Sequence, residues 1–170
     1  RLMETSDETI FFPASYRTQK QLKAFDLILP KNVIMVDPVG YDEMLVLMSN
    51  SIGVITDSGT VVEETAVLQI PSIQLRRATE RPQVYDCKSS VKFDPSKFGR
   101  SEYSAEDFAD TIQKFHDLIG TNWVHNLGDG NATTRLISDL EMRFQTGHIR
   151  GHLPNNNHLM TERSFGSDCL

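Results

Sequence analysis

The run from Ile52 to Leu68 constrains this 170-residue chain more than any other. Ile52–Ile55 is an apolar run of buried-strand length, Asp57-Ser58-Gly59 has the composition of a tight turn, and Thr60–Leu68 carries helical periodicity. A strand, a turn and a helix in that order predict an α/β fold with a parallel sheet flanked by helices. In open sheets of this kind ligands gather beyond the carboxyl ends of the strands. There the following helix presents unpaired N–H groups and the positive end of its dipole, which suits a phosphate.

The residues of the turn fit an anion. Gly59 has no Cβ to keep a ligand away, and the Ser58 and Thr60 hydroxyls can donate to phosphate oxygens. Glu63 and Glu64 follow one turn later, where a carboxylate repels a diphosphate but suits the neutral diol of a ribose. Successive helical residues diverge by about 100°, so one of the two faces the cleft, and periodicity does not say which. A plain structural explanation stands beside this one: Asp-Ser-Gly is a common helix cap, and Thr60 with Glu63 has capping-box spacing.

Composition narrows the remaining classes. With 39% hydrophobic and 24% charged residues the chain is globular and long enough for one domain with a sizeable core. A formal charge of −6 and the absence of a basic run argue against binding to a nucleic-acid backbone. The apolar runs are far shorter than a bilayer span, so no membrane partner is expected. Cys87 and Cys169 have neither metal nor redox spacing, which points to a reduced, cytoplasmic protein.

Along the chain, strands are expected at Thr9–Phe12, Val33–Val36, Ile70–Leu75 and Ser89–Phe93. Helices are expected at Gln19–Phe25, with Leu22 and Phe25 inward, and at Tyr41–Asn50, with Met44, Leu45, Leu47 and Met48 packing. A further helix is expected from Ser104 to Ile119, with Phe108, Ile112, Phe115 and Ile119 on one face. A last helix would pack through Leu136, Ile137 and Leu140, and residues 145–170 read as a flexible polar tail. His148 and His152 have the i, i+4 spacing of a helical metal pair, but Gly147, Gly151 and Pro154 argue against a helix there, so no metal site is expected.

The stretches Tyr41-Asp-Glu-Met-Leu-Val-Leu-Met48, Thr56-Asp-Ser-Gly59, Glu63-Glu64, Ile70-Pro71 and Thr79-Glu-Arg-Pro82 resemble the non-hydrolysing UDP-N-acetylglucosamine 2-epimerases, in order and in spacing. Asn126-Leu-Gly-Asp-Gly-Asn-Ala132 resembles a further segment of that family. The resemblance runs from about Ile10 to about Leu140 and covers the family's C-terminal, nucleotide-binding half. It implies a Rossmann-like domain over residues 1–144, equivalent to the C-terminal domain of a GT-B fold, facing an N-terminal domain that this sequence does not include.

By matching position, Ser58, Gly59 and Thr60 would hold a diphosphate, Glu64 would take both ribose hydroxyls, Arg81 would stand nearby, and the backbone of Met44 would pair with uracil. Arg81 is also suited to fixing a neighbouring carboxylate such as Glu80 or Glu64. The family reaction inverts C2 of UDP-GlcNAc to give UDP-ManNAc, through loss and readdition of UDP, with no metal or redox cofactor. Its acid and base belong mainly to the N-terminal half, and the full-length enzyme is expected to be a homodimer. The sequence departs from the family pattern in four places: Ser15-Tyr16-Arg17-Thr18 replaces a His-Pro-Arg-Thr-like stretch, Thr60 a second glycine, Gln69 a glycine and Gln83 a glutamate. Two other readings stay open, a separate donor-nucleotide-binding subunit of a GT-B-like glycosyltransferase, and an α/β domain whose turn is only a cap.

Overall fold

The computed structural model describes residues 2–97 and 104–149 and divides into two compact units, Arg1–Leu127 and Gly128–Leu170. The first unit alternates strand and helix: β1 (Ile10–Pro13), α1 (Tyr16–Ala24), β2 (Val33–Val36), α2 (Tyr41–Ser49), β3 (Val54–Thr56), α3 (Gly59–Val67), β4 (Ser72–Leu75), α4 (Gln83–Asp86), β5 (Ser90–Phe93) and α5 (Ala105–His116). Among the described residues all the strand pairs are parallel. β1 lies beside β2 with Ile10 opposite Val33, while β3, β4 and β5 lie in that order, with Val54 opposite Ser72 and Ser72 opposite Ser90. Parallel neighbours require a crossover, and a helix supplies each one, so the fold class is the α/β one expected.

Residue alternation along β4 divides the packing between the two faces of the sheet. Ile73 points to a cluster formed by Leu2, by Phe93 of β5, and by Phe108, Ile112 and Phe115, which α5 brings down as a stripe at helical spacing. Its neighbours Ser72 and Gln74 turn to the other face, which α3 and α4 cover with Val62, Ala66 and Val84. Gly53 lies under Phe115, where a Cβ would meet the ring Cζ at 2.1 Å.

Serines start three of the helices: Ser15, Ser58 and Ser104 accept the N–H groups of Thr18, Val61 and Asp107. The cap of α3 is therefore Ser58, as the Asp-Ser-Gly composition allows, and the capping box whose spacing Thr60 and Glu63 match is not formed, because the helix begins at Gly59. At its other end α3 closes in a Schellman motif, with Ile70 N–H donating to Thr65 O at 2.9 Å and Gln69 N–H to Ala66 O at 3.4 Å. Gln69 takes the left-handed position, with φ +61°, where glycine is usual. Its amide reaches the backbone of Trp123 twice, donating to the carbonyl at 3.1 Å and accepting the N–H at 3.3 Å. Trp123 Nε1 in turn donates to Ala66 O at 2.8 Å.

Some packing expectations require correction. Phe25 is 69% exposed and α1 buries no residue, because Phe25 falls just past the end of the helix. On α2 only Met48 is fully buried, with Met44 and Leu45 half-buried and Leu47 exposed. Ile119 is also exposed, since α5 ends at His116.

The second unit holds α6 (Ala132–Gln145), whose entry is fixed by a two-pronged pair between the Arg135 guanidinium and Asp129. Leu136, Ile137 and Leu140, the expected packing face, are 59%, 51% and 46% exposed. The expected tail from 145 falls mostly on residues outside the described ones, as do His152 and Cys169; His148 Nδ1 lies 2.8 Å from Thr146 Oγ1.

Candidate functional site

The carboxyl ends of β3 and β4 gather the polar side chains. After β3, Thr56 Oγ1 accepts the Ser58 N–H at 3.0 Å, and Ser58 Oγ accepts the Val61 N–H at 3.3 Å. Gly59, the first residue of α3, is buried and does not have a positive φ. Its lack of a side chain answers a steric demand, since a Cβ there would lie 2.7 Å from Glu80 Oε1 and 3.8 Å from Arg81 Cγ. The loop after β4 thus lies directly against the start of α3, and Thr60 is exposed beside it.

Glu63 and Glu64 diverge as helix geometry requires. Glu63 Oε1 stands 2.8 Å from Arg81 Nε. This is a charge contact rather than an aligned hydrogen bond, because the buried Nε–H lacks hydrogen-bond geometry toward any acceptor described. Glu64 Oε1 accepts from the Tyr41 hydroxyl at 3.0 Å, which joins α3 to the start of α2. Of the carboxylates expected for Arg81, neither Glu80 nor Glu64 is the partner; Glu63, one residue along the helix, takes that position.

Glu80 belongs to Arg76, whose Nη1 donates to Glu80 Oε2 at 2.8 Å and whose Nε donates to the Asp57 carbonyl at 2.5 Å. The Glu80 carboxyl is held below the usual carboxylate range, first by its own backbone N–H; burial opposes this as the next largest effect, and the charge and hydrogen bond of Arg76 and the charge of Arg81 then add to the lowering. The Tyr41 phenol is pushed the other way, above 10.0, because ionising it breaks the bond to Glu64 and sets two negative charges side by side.

Met44 is half-buried one turn into α2, and its N–H is committed to Gly40 O at 2.9 Å, the first bond of the helix. The N–H groups left over by α2 are those of Tyr41, Asp42 and Glu43. Ser15, in the family's histidine position, caps α1, and Arg17 is exposed beside it. Tyr41 and Arg76 were not singled out as site residues from the sequence. The only available signal was Arg76 following directly on an apolar strand, at the edge where such sheets bind. Among the described residues no three His, Cys, Asp or Glu side chains cluster as metal ligands, and no helix is long and apolar enough to cross a membrane.

A parallel sheet carrying helices, with a donor-rich helix start and two acidic side chains at its carboxyl edge, defines a Rossmann-like domain of the kind found in the GT-B arrangement. The chain belongs to the UDP-N-acetylglucosamine 2-epimerase family, whose family model matches residues 1–141. It is 31% identical over 142 residues to the UDP-N-acetylglucosamine 2-epimerase of Methanocaldococcus jannaschii, covering 80% of this chain and 36% of that one. It is 35% identical over 138 residues to the enzyme of the same description from Methanococcus maripaludis, covering 78% and 35%. The crystal structure of the M. jannaschii enzyme in complex with UDP-GlcNAc and UDP superposes with a TM-score of 0.69 at 30% identity, over 83% of this chain and 38% of that one. This chain therefore spans little more than a third of the length of the relatives it matches.

Proposed function

We propose that this chain is the UDP-holding part of a UDP-N-acetylglucosamine 2-epimerase, with the diphosphate at Ser58, Gly59 and Thr60 and the ribose diol on Glu64. The observation that carries this reading is the division of labour between the two glutamates. Glu63 is engaged by Arg81, while Glu64 is turned toward the start of α2 by Tyr41. A carboxylate that holds one phenolic donor on Oε1 retains acceptor capacity on both oxygens, as a diol requires. The unpaired N–H groups at the start of α3 and the nearby Arg81 are suited to the diphosphate. Uracil would lie near the start of α2; with the Met44 N–H used inside the helix, its carbonyl and the free N–H groups before it are the groups to test.

In the whole enzyme this part would grip UDP while C2 of the sugar loses and regains its proton in the cleft. Glu63, Glu64 and Glu80 are each engaged by Arg81, Tyr41 or Arg76, which supports the reading that the acid and base come mainly from the N-terminal half. Homodimerisation and a cytoplasmic location go with the same reading.

The test is a calorimetric titration of the 170-residue chain with UDP and ADP, followed by incubation with UDP-GlcNAc in deuterium oxide. UDP should bind more tightly than ADP, because changing the base leaves buried backbone groups unpaired at about 1–3 kcal/mol. C2 exchange should stay at background. Equal affinities would reduce the site to a generic anion site, and sustained exchange would place an acid/base pair within this chain.

A further inference from the structure

We propose that Arg76 is a positioning residue that sets the geometry of the α3 start by pinning a single peptide plane, an inference that rests on the nucleotide reading above and deepens it. The peptide between Asp57 and Ser58 is held from both ends. Its carbonyl accepts from Arg76 Nε at 2.5 Å, and its N–H donates to Thr56 Oγ1 at 3.0 Å. A peptide is planar and rigid, so two anchors on opposite edges fix its orientation. The next N–H groups along the chain, those of Gly59 and Thr60, open α3 and inherit their direction from this plane.

A second contact of the same guanidinium completes the brace. Arg76 Nη1 holds Glu80 Oε2 at 2.8 Å, and the other oxygen of that carboxylate lies so close over Gly59 that a Cβ there would be 2.7 Å from it. The turn, the first residue of α3 and the Thr79–Arg81 loop are thus tied through one planar, two-pronged cation. Because Glu80 neutralises it, Arg76 contributes direction rather than net attraction for an anion. It also cancels a carboxylate that would otherwise repel a phosphate from the helix start.

This separates arginine from lysine. An ammonium keeps the charge but cannot hold the Asp57 carbonyl and the Glu80 carboxylate in the same fixed fork. If Arg76 acts by charge, Arg76→Lys restores binding; if it acts by position, Arg76→Lys behaves like Arg76→Ala. The affinities of the unaltered chain, Arg76→Lys, Arg76→Ala and Thr56→Val for UDP and for uridine would be measured by NMR titration, with thermal unfolding to confirm that each is folded. Thr56→Val releases the other edge of the same peptide without touching any charge.

We expect the Arg76 variants and Thr56→Val to lose roughly ten-fold or more in affinity for UDP while uridine binding is unchanged, since only the phosphates meet the displaced N–H groups. Wild-type affinity for UDP in Arg76→Lys, or equal losses for UDP and uridine, would overturn the proposal while leaving the nucleotide reading intact. Failure of the unaltered chain to bind UDP would remove both. Should Arg76→Ala not fold, Arg76→Lys and Thr56→Val decide.

Discussion

The hydroxyl of Tyr41 donates to Oε1 of Glu64 at 3.0 Å, closing a link between two helices whose residues stand 23 positions apart. Helix geometry turns the two adjacent glutamates apart, this bond holds Glu64 toward the start of α2 while Arg81 meets Glu63, and the first prediction follows from that division. Glu64→Ala should weaken UDP binding far more than Glu63→Ala. Charge-assisted hydrogen bonds are worth about 1.5–3 kcal/mol, so losing one costs roughly 10- to 150-fold. Calorimetry of both variants checks this, and equal losses would mean that the two glutamates had been assigned wrongly.

The same link predicts a pH dependence. The Tyr41 phenol is raised above 10.0 by its bond to Glu64 and by the charge beside it. For a raised group the bond is fully present below the ordinary value and is lost as pH climbs through the raised one. Following the Tyr41 ring resonances by NMR in alkali should therefore show ionisation above 10.0, and Glu64→Gln should bring it back toward the ordinary value. An unchanged titration in Glu64→Gln would show that the link is absent in solution.

Behind the site, Gln74 is 0% exposed and its Oε1 accepts from the Tyr85 hydroxyl, while its Nε2 has no partner among the described residues. Tyr85→Phe strands the buried oxygen as well and should destabilise the chain by about 1–3 kcal/mol. Adding Gln74→Met should recover most of that loss, because replacing both partners with apolar groups of similar shape removes the unpaired atoms. Chemical denaturation of the single and double variants reads the difference directly; a double variant no better than Tyr85→Phe would refute the explanation. Burial raises the Tyr85 phenol against a smaller opposing effect of Arg76, so this stabilisation should be full below pH 10.0 and fade as pH climbs from there through the raised value.

Gln69 offers a test of strain against contact. Its left-handed backbone costs about 1–2 kcal/mol, and its two bonds to Trp123 return about 0.5–1.5 kcal/mol each. Gln69→Ala keeps the strain and loses the bonds, so it should be destabilised by about 1–3 kcal/mol. Gln69→Gly loses the bonds and the strain together and should unfold close to the unaltered chain. Thermal unfolding that ranks alanine above glycine would contradict this account.

Much of the fold was legible locally. The strand segments expected at Val33–Val36, Ile52–Ile55 and Ser89–Phe93 and the stripe Phe108, Ile112, Phe115 carried the alternation of strand and helix, because period and turn chemistry act over a few residues; the third strand itself runs slightly later, over Val54–Thr56. The short helix α4 went unseen, since four residues carry no period of their own. The exposure of Phe25 was also missed, because one residue past a helix end the periodic rule no longer holds.

The site divides along the same line. That a donor-rich turn, two glutamates and Thr79-Glu-Arg-Pro82 meet at one sheet edge followed from the sequence, since a parallel βα unit always delivers its turns there. The pairing within that edge did not follow. Arg81 could reach several carboxylates, and Gly59 could have been kept for a ligand or for a turn. Only packing decided that Arg81 takes Glu63, that Tyr41 takes Glu64 and that Glu80 needs the space above Gly59. Local propensity sets where the backbone turns, whereas the partner of a long charged side chain depends on distances of a few ångströms between segments far apart in the chain, which are fixed only once the helices settle on the sheet.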